Sequence, residues 1–140
     1  MIAYLDASAL LRVAFGEAGQ VPEWSHLKHG VSSELVRVEC LRTIDRMRVR
    51  APLDDEEVAR RSEAVFALVD HLDLIPIAAE VLDRAAAPFP TTLGTLDAIH
   101  LASALLWQQS EGQRLDGLFT HDVELGRAAR AVGMLVFGCA

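Results

Sequence analysis

The sequence predicts an α/β fold built on a mostly parallel, five-stranded sheet. Two observations carry this prediction. The strand-like runs are only three to six residues long, and the outermost two, IAYL at 2–5 and MLVF at 134–137, are apolar without alternation. Such runs suit strands covered on both faces. Stretches with helical caps and stops separate them along the whole chain, so strand–helix–strand units with right-handed crossovers follow. At 140 residues the chain has the size of one domain, 1–140, with room for a full core.

Taken in order, IAYL is followed by Asp6 and a helical stretch, ASALLRVAF, that stops at Gly16. A short helix is expected around 20–28, with Pro22 in its first turn. Gly30-Val31-Ser32 reads as the second strand, and Ser33 as the N-cap of a long helix, ELVRVECLRTIDRMRVR. Pro52 breaks it. Asp54 or Asp55 then caps a helix running to about His71, with acids in its first turn. LDLIPI at 72–77 is the third strand, and Pro76 marks its end or a sheet edge. A helix over 78–87, the loop PFPTTLG, and a helix opened by Thr95 or Asp97 and closed near Gly112 come next. LFT at 118–120 is the fourth strand, Asp122 starts a helix that ends at Gly133, and MLVF closes the sheet.

Composition narrows the function. No apolar run reaches membrane-span length and the N-terminus does not read as a signal peptide, so the expected location is the cytoplasm, with no membrane partner. Cys40 falls in a helical pattern and Cys139 in the tail, without metal-ligand spacing. A net charge of −7 argues against a broadly basic nucleic-acid surface. An acidic site filled by cations is compatible with phosphate chemistry all the same. Lys28 is the only lysine among 13 basic residues, and the arginines suit bidentate phosphate or carboxylate contacts.

Ligands of open α/β sheets bind beyond the carboxyl ends of the strands. Asp6 follows strand one and Asp122 follows strand four. Asp97 begins the apolar helix LDAIHLASALL, and its placement depends on the preceding loop. Glu39 lies inside its helix, too deep for a cap, beside the apolar face of Val36, Cys40, Ile44 and Met47. Each aspartate also suits a plain helix N-terminus. Glu39 equally suits pairing with Arg42 and Arg46 at i+3 and i+7, and those arginines suit either that pairing or phosphate contact. If the four acids converge, repulsion decides the chemistry. Two carboxylates about 4 Å apart repel by roughly 4 kcal/mol at an effective dielectric near 20. An all-oxygen pocket of four suits a hard cation, Mg²⁺ or Mn²⁺, and in-line displacement at phosphorus.

The ordered set YLDASALL, SSELVRVECLR, LDAIHLASAL and LFTHDVELGRAARAVGM resembles the PIN-domain family, and within it the VapC-type ribonuclease toxins, across essentially the whole chain. The resemblance implies a three-layer α/β/α sandwich. It makes Asp6, Glu39, Asp97 and Asp122 the catalytic, Mg²⁺- or Mn²⁺-binding quartet, with Asp6, Glu39 and Asp97 on the first ion. Ser8 and Thr120 match hydroxyl positions near the metal, and His100 matches a frequent histidine without assigned chemistry. A metal-activated water would attack RNA and leave 3′-hydroxyl and 5′-phosphate ends, with Arg42 and Arg46 as candidate phosphate contacts. The expected partners are RNA, a small VapB-like antitoxin and a second copy in a homodimer. His121 and the tail VFGCA depart from the family's pattern, which bears on subgroup and substrate. Two other readings compete: a receiver-type phosphotransfer domain, poorly served by a single lysine, and a catalytically silent PIN-like binding module.

Overall fold

A computed structural model describes residues 1–139. Its elements are β1 (Ile2–Leu5), α1 (Ala7–Ala14), a 3₁₀ turn (Pro22–His26), β2 (His29–Ser33), α2 (Leu35–Arg50), α3 (Asp55–Val69), β3 (Leu72–Ile75), α4 (Ala79–Ala86), α5 (Thr95–Glu111), β4 (Gly117–Phe119), α6 (Val123–Ala131) and β5 (Val136–Phe137). The five strands form one sheet in the order β3-β2-β1-β4-β5, and every pairing is parallel. The chain walks outward from β1 through β2 to β3, then returns to the other side of β1 for β4 and β5. Strand order therefore reverses between β1 and β4, the place where such sheets bind ligands.

The reversal also sorts the helices. One core joins Ala3, Leu5 and Phe119 of the sheet to Leu10 of α1, Val36, Cys40 and Ile44 of α2, and Val65 and Val69 of α3. The other joins Tyr4, Val31 and Leu118 to Leu101, Ala104 and Trp107 of α5 and to Leu125, Ala128 and Ala129 of α6. Successive strand residues serve opposite faces, as the pleat requires. The α/β/α sandwich is thus observed, with a sheet that is wholly rather than mostly parallel. In β1 the residues Ala3, Tyr4 and Leu5 are fully buried, which explains a run without alternation. Ala3 is flanked in register by Gly30 and Gly117. A side chain at either glycine would collide with neighbours, with Leu5 and Leu72 at Gly30 and with the Phe137 ring at Gly117.

Most strand and helix ends shift by a residue or two from the sequence reading, and four differences have a clear physical reason. Ser33 is not the N-cap of α2: it pairs with Ile75 in the β2–β3 ladder, so the backbone stays extended and the helix starts later. Its Oγ still accepts from the Leu35 N–H at 3.1 Å. Asp97 does not cap α5 either. Gly94 holds that position, Thr95 is the first helical residue, and Asp97 lies in the first turn. The segment at 20–28 is a 3₁₀ turn rather than an α-helix. β5 shrinks from four residues to two, because Met134 is drawn into the core and only Val136 and Phe137 keep the ladder. Asp54 does cap α3, accepting from Glu57 N–H at 2.8 Å, and β3 stops before Pro76 at a sheet edge.

Gly138 closes the sheet's end. Its φ of +102° lies where L side chains are strained, and a Cβ there would stand 2.4 Å from the Thr120 carbonyl oxygen. Gly138→Ala is expected to destabilise the fold by about 1–3 kcal/mol, read as a lower urea midpoint at unchanged slope.

Candidate active site

The site begins with two helix starts at the strand-order reversal. Asp6 ends β1 and caps α1: its Oδ1 accepts from Ala9 N–H at 3.0 Å and from the Ser8 hydroxyl at 2.7 Å. Its Oδ2 accepts from the Thr120 hydroxyl at 2.5 Å. Thr120 Oγ1 accepts in turn from Asp122 N–H at 2.9 Å, and Ser8 Oγ from His121 N–H at 2.8 Å. The two hydroxyls thus clamp the end of β1 to the end of β4. Asp122 caps α6, its Oδ1 accepting from Leu125 N–H at 3.0 Å. Cap and site are therefore the same geometry for both residues, since a side chain that reaches back to its helix start also stands above the strand ends.

Glu39 arrives from α2 and does not pair with its own arginines. Its Oε1 accepts from Nε2 of His100 on α5, while Arg42 bonds to Asp45 at 3.0 Å and Arg46 to the Thr43 hydroxyl at 3.1 Å. Of the two readings of Glu39, the intrahelical pairing is not made, and a contact across the end of the sheet takes its place. His100 Nδ1 meets the Tyr4 hydroxyl at 2.7 Å. Tyr4 was not among the residues singled out from sequence. The available signal was a phenol in an otherwise aliphatic buried strand, since a buried tyrosine hydroxyl usually finds a partner.

Asp6, Ser8, Glu39, Arg42, Arg46, Asp97 and Asp122 all line one hollow of about 350 Å³, rimmed by Leu11, Leu35, Val38 and Leu96. Thr120 and His100 are buried and do not line it, but bond to Asp6 and Glu39, which do. Size does not single this place out, because a larger hollow of about 540 Å³ runs along the β3 edge. Charge does. Burial and the negative charges of Asp122 and Asp6 push the Asp97 carboxyl up to about 6, with His100 opposing and Glu39 adding to the rise. Burial raises the Asp6 carboxyl as well, against the pull of its Thr120, Ser8 and Ala9 donors.

Among the described residues, no group of three or more His, Cys, Asp or Glu side chains is set at metal-ligand spacing. Three of the four acids have an oxygen committed to a protein donor, whereas Asp97 has no hydrogen-bond partner among the described residues. The donor set facing the hollow is carboxylate oxygen without thiolate. Such a set fits a hard cation that keeps several waters and takes one or two carboxylates directly.

The residues near the chain's end contact one another. His121, one of the departures from the family pattern, donates from Nδ1–H to the Gly138 carbonyl at 3.1 Å. Cys139 is more than a tail residue, because its thiol reaches the carbonyls of Thr120 and Asp122, each at 3.3 Å. Cys40 is a buried small side chain, as read.

A carboxyl raised from 3.8 to about 6 binds more protons folded than unfolded, so Asp97 lowers stability as pH climbs through the window from about 4 to about 6. Asp97→Asn is expected to stabilise the cation-free protein by about 1–2 kcal/mol at pH 7 and by nothing measurable at pH 3, where both states are protonated. Urea titrations at the two pH values measure the difference.

Comparison with known proteins agrees with this architecture. The family model described as the PIN domain matches residues 3–131. The chain is 38% identical over 136 residues to Ribonuclease VapC46 of Mycobacterium tuberculosis (strain ATCC 25618 / H37Rv), covering 95% of this chain and 94% of that protein. It is 30% identical over 139 residues to Ribonuclease VapC47 of Mycobacterium tuberculosis (strain CDC 1551 / Oshkosh), covering 94% and 93%. The crystal structure of PAE2754 from Pyrobaculum aerophilum superposes with a TM-score of 0.60 at 19% identity, covering 97% of this chain and 83% of that one, and so shares the fold. With its acids gathered at the reversal of a parallel sheet, this chain belongs to the PIN-domain family, among the VapC-type proteins.

Proposed function

We propose that this protein is the toxin of a type II toxin–antitoxin pair, a metal-dependent endoribonuclease acting through the pocket of Asp6, Glu39, Asp97 and Asp122. The observation that carries the reading is the raised Asp97 carboxyl in a hollow shared with three other acids. Membership of the PIN-domain family and similarity to two proteins named ribonucleases support it. A VapB-like antitoxin and a homodimer are part of the same proposal, as is a cytoplasmic location. No helix among the described residues is long and apolar enough to cross a membrane.

In this reading Asp6, Glu39 and Asp97 would hold Mg²⁺ or Mn²⁺, one or two of them directly and the rest through its waters, and Asp122 would hold or orient that ion or a second one from the start of α6. The cation supplies a Lewis acid that acidifies water and offsets charge developing on a phosphate. The chain's own residues do the rest. Ser8 and Thr120 fix both oxygens of Asp6, so the carboxylate does not swing when charge arrives. Burial and the charges of Asp122 and Asp6 disfavour the Asp97 anion, and no hydrogen-bond donor among the described residues offsets them, so a bound cation would favour its charged form. Arg42 and Arg46 stand at the pocket wall and would exchange Asp45 and Thr43 for phosphate oxygens. Water oxygen joins phosphorus as the bond to the 3′ oxygen breaks, giving 3′-hydroxyl and 5′-phosphate ends.

Purified protein free of its antitoxin should cut cellular RNA into discrete fragments with Mg²⁺ or Mn²⁺ and not with EDTA. Asp6→Asn and Asp97→Asn should each lower cleavage at least about 100-fold while remaining folded by circular dichroism. Equal cleavage by the variants would assign the activity to a contaminant, and intact RNA with no metal binding by calorimetry would favour the silent binding module. Arg42→Ala and Arg46→Ala should weaken RNA binding across sequences and reduce the salt slope by about 0.7 each on single strands.

A further inference from the structure

We infer that His100 is the positioning residue for Glu39, holding one carboxylate oxygen so that the other is presented to the cation. The inference rests on the metal-site reading above and goes beyond it, because nothing in that reading needs a histidine.

His100 is 1% exposed, on the core face of α5 beside Leu101 and Ala104. A buried imidazole is costly unless both nitrogens are satisfied. Here both are, Nδ1 by the Tyr4 hydroxyl at 2.7 Å and Nε2 by Glu39 Oε1. The polarity follows from the partners. A carboxylate only accepts, so Nε2 carries the proton, and in that tautomer Nδ1 accepts from Tyr4. Burial keeps the Tyr4 hydroxyl well above its ordinary range, so it remains a donor. The ring is also held edge-on to Tyr4, with centroids 5.7 Å apart and planes at 78°.

The relay therefore runs from a fully buried residue of β1 to a carboxylate whose side chain is 20% exposed. Glu39 comes from the α1–α3 layer and His100 from the α4–α6 layer, so their bond spans the end of the sheet. A free glutamate loses rotamer freedom when it is ordered. His100 removes that freedom before any ligand arrives, and Oε2 of Glu39 makes no hydrogen bond among the described residues. Partners behind a ligating carboxylate commonly matter this way: losing one costs about 10–100-fold in metal affinity or activity.

The test separates placement from packing through two amides. In His100→Gln the amide nitrogen reaches the level of Nε2 and can still donate to Glu39. In His100→Asn the amide stops at the level of Nδ1 and can meet only Tyr4. By calorimetry with Mn²⁺ alone, His100→Ala and His100→Asn should bind about 10–100-fold more weakly than wild type, with Gln recovering most of the loss. In a Glu39→Ala background the His100 substitutions should cost nothing further. In metal-free wild type, long-range ¹⁵N spectra of the imidazole should show the proton on Nε2. An Asn variant that binds Mn²⁺ as well as Gln does, or a proton absent from Nε2, would overturn the inference and leave the proposed nuclease standing. Wild-type protein that binds no Mn²⁺ would overturn the metal reading and the inference together.

Discussion

A buried carboxylate at the reversal of strand order is the constraint around which the rest is arranged. Asp6 is 4% exposed, at the end of a strand whose previous three residues are fully buried. Left alone there, a carboxylate would be strongly disfavoured as an anion. Ser8, Thr120 and the Ala9 amide each donate to it. These donors come from two places, the start of α1 and the end of β4. Satisfying one side chain therefore fixes the join between the two halves of the sheet. The hydroxyls then go on to accept from the His121 and Asp122 amides, which sets the start of α6.

That arrangement explains why capping and catalysis do not compete here. A cap needs a carboxylate aimed at free amides beyond a strand end, and a ligand site above a parallel sheet needs the same. Asp6 and Asp122 satisfy local helix chemistry and in doing so face one hollow. Asp97 and Glu39 are placed differently. Asp97 is in the first turn of a helix capped by glycine, and Glu39 is steered by an imidazole from the opposite layer. Burial, with the charges of Asp122 and Asp6 adding to it, raises the carboxyl of Asp97, the member whose side chain has no hydrogen-bond partner among the described residues. In the proposed function this rise is what a cation relieves, so binding and folding stability are coupled at a single side chain.

The C-terminal segment belongs to the same system. The positive φ of Gly138 lets the chain pass against the Thr120 carbonyl, and Cys139 follows with its thiol on the carbonyls of Thr120 and Asp122. The departures from family pattern noted at His121 and the tail meet each other, through the bond from His121 to Gly138. They buttress the back of the Thr120–Asp122 turn and leave the hollow to the acids.

By itself the sequence determined the alternation of strands and helices, the caps Asp6 and Asp122, a cap at Asp54 or Asp55, the stops at Pro76 and Gly112, and the acids with their order along the chain. These are local properties, set by side-chain patterning and backbone chemistry within a few residues. Ser33 shows the limit: its cap chemistry was legible, but its pairing with Ile75 extended the strand and delayed the helix. The meeting of Glu39 with His100 and of His100 with Tyr4 joins residues 61 and 96 positions apart, from both helix layers and the central strand. Nothing in the spacing of either helix specifies it. The wheel placed Glu39 beside Arg42 and Arg46, and only the parallel packing of two layers over one sheet end brought a better partner within reach. Local free energies select elements, whereas contacts between distant elements depend on how those elements pack. For that reason tertiary structure alone decided which carboxylate was clamped, which was steered and which was left with its charge.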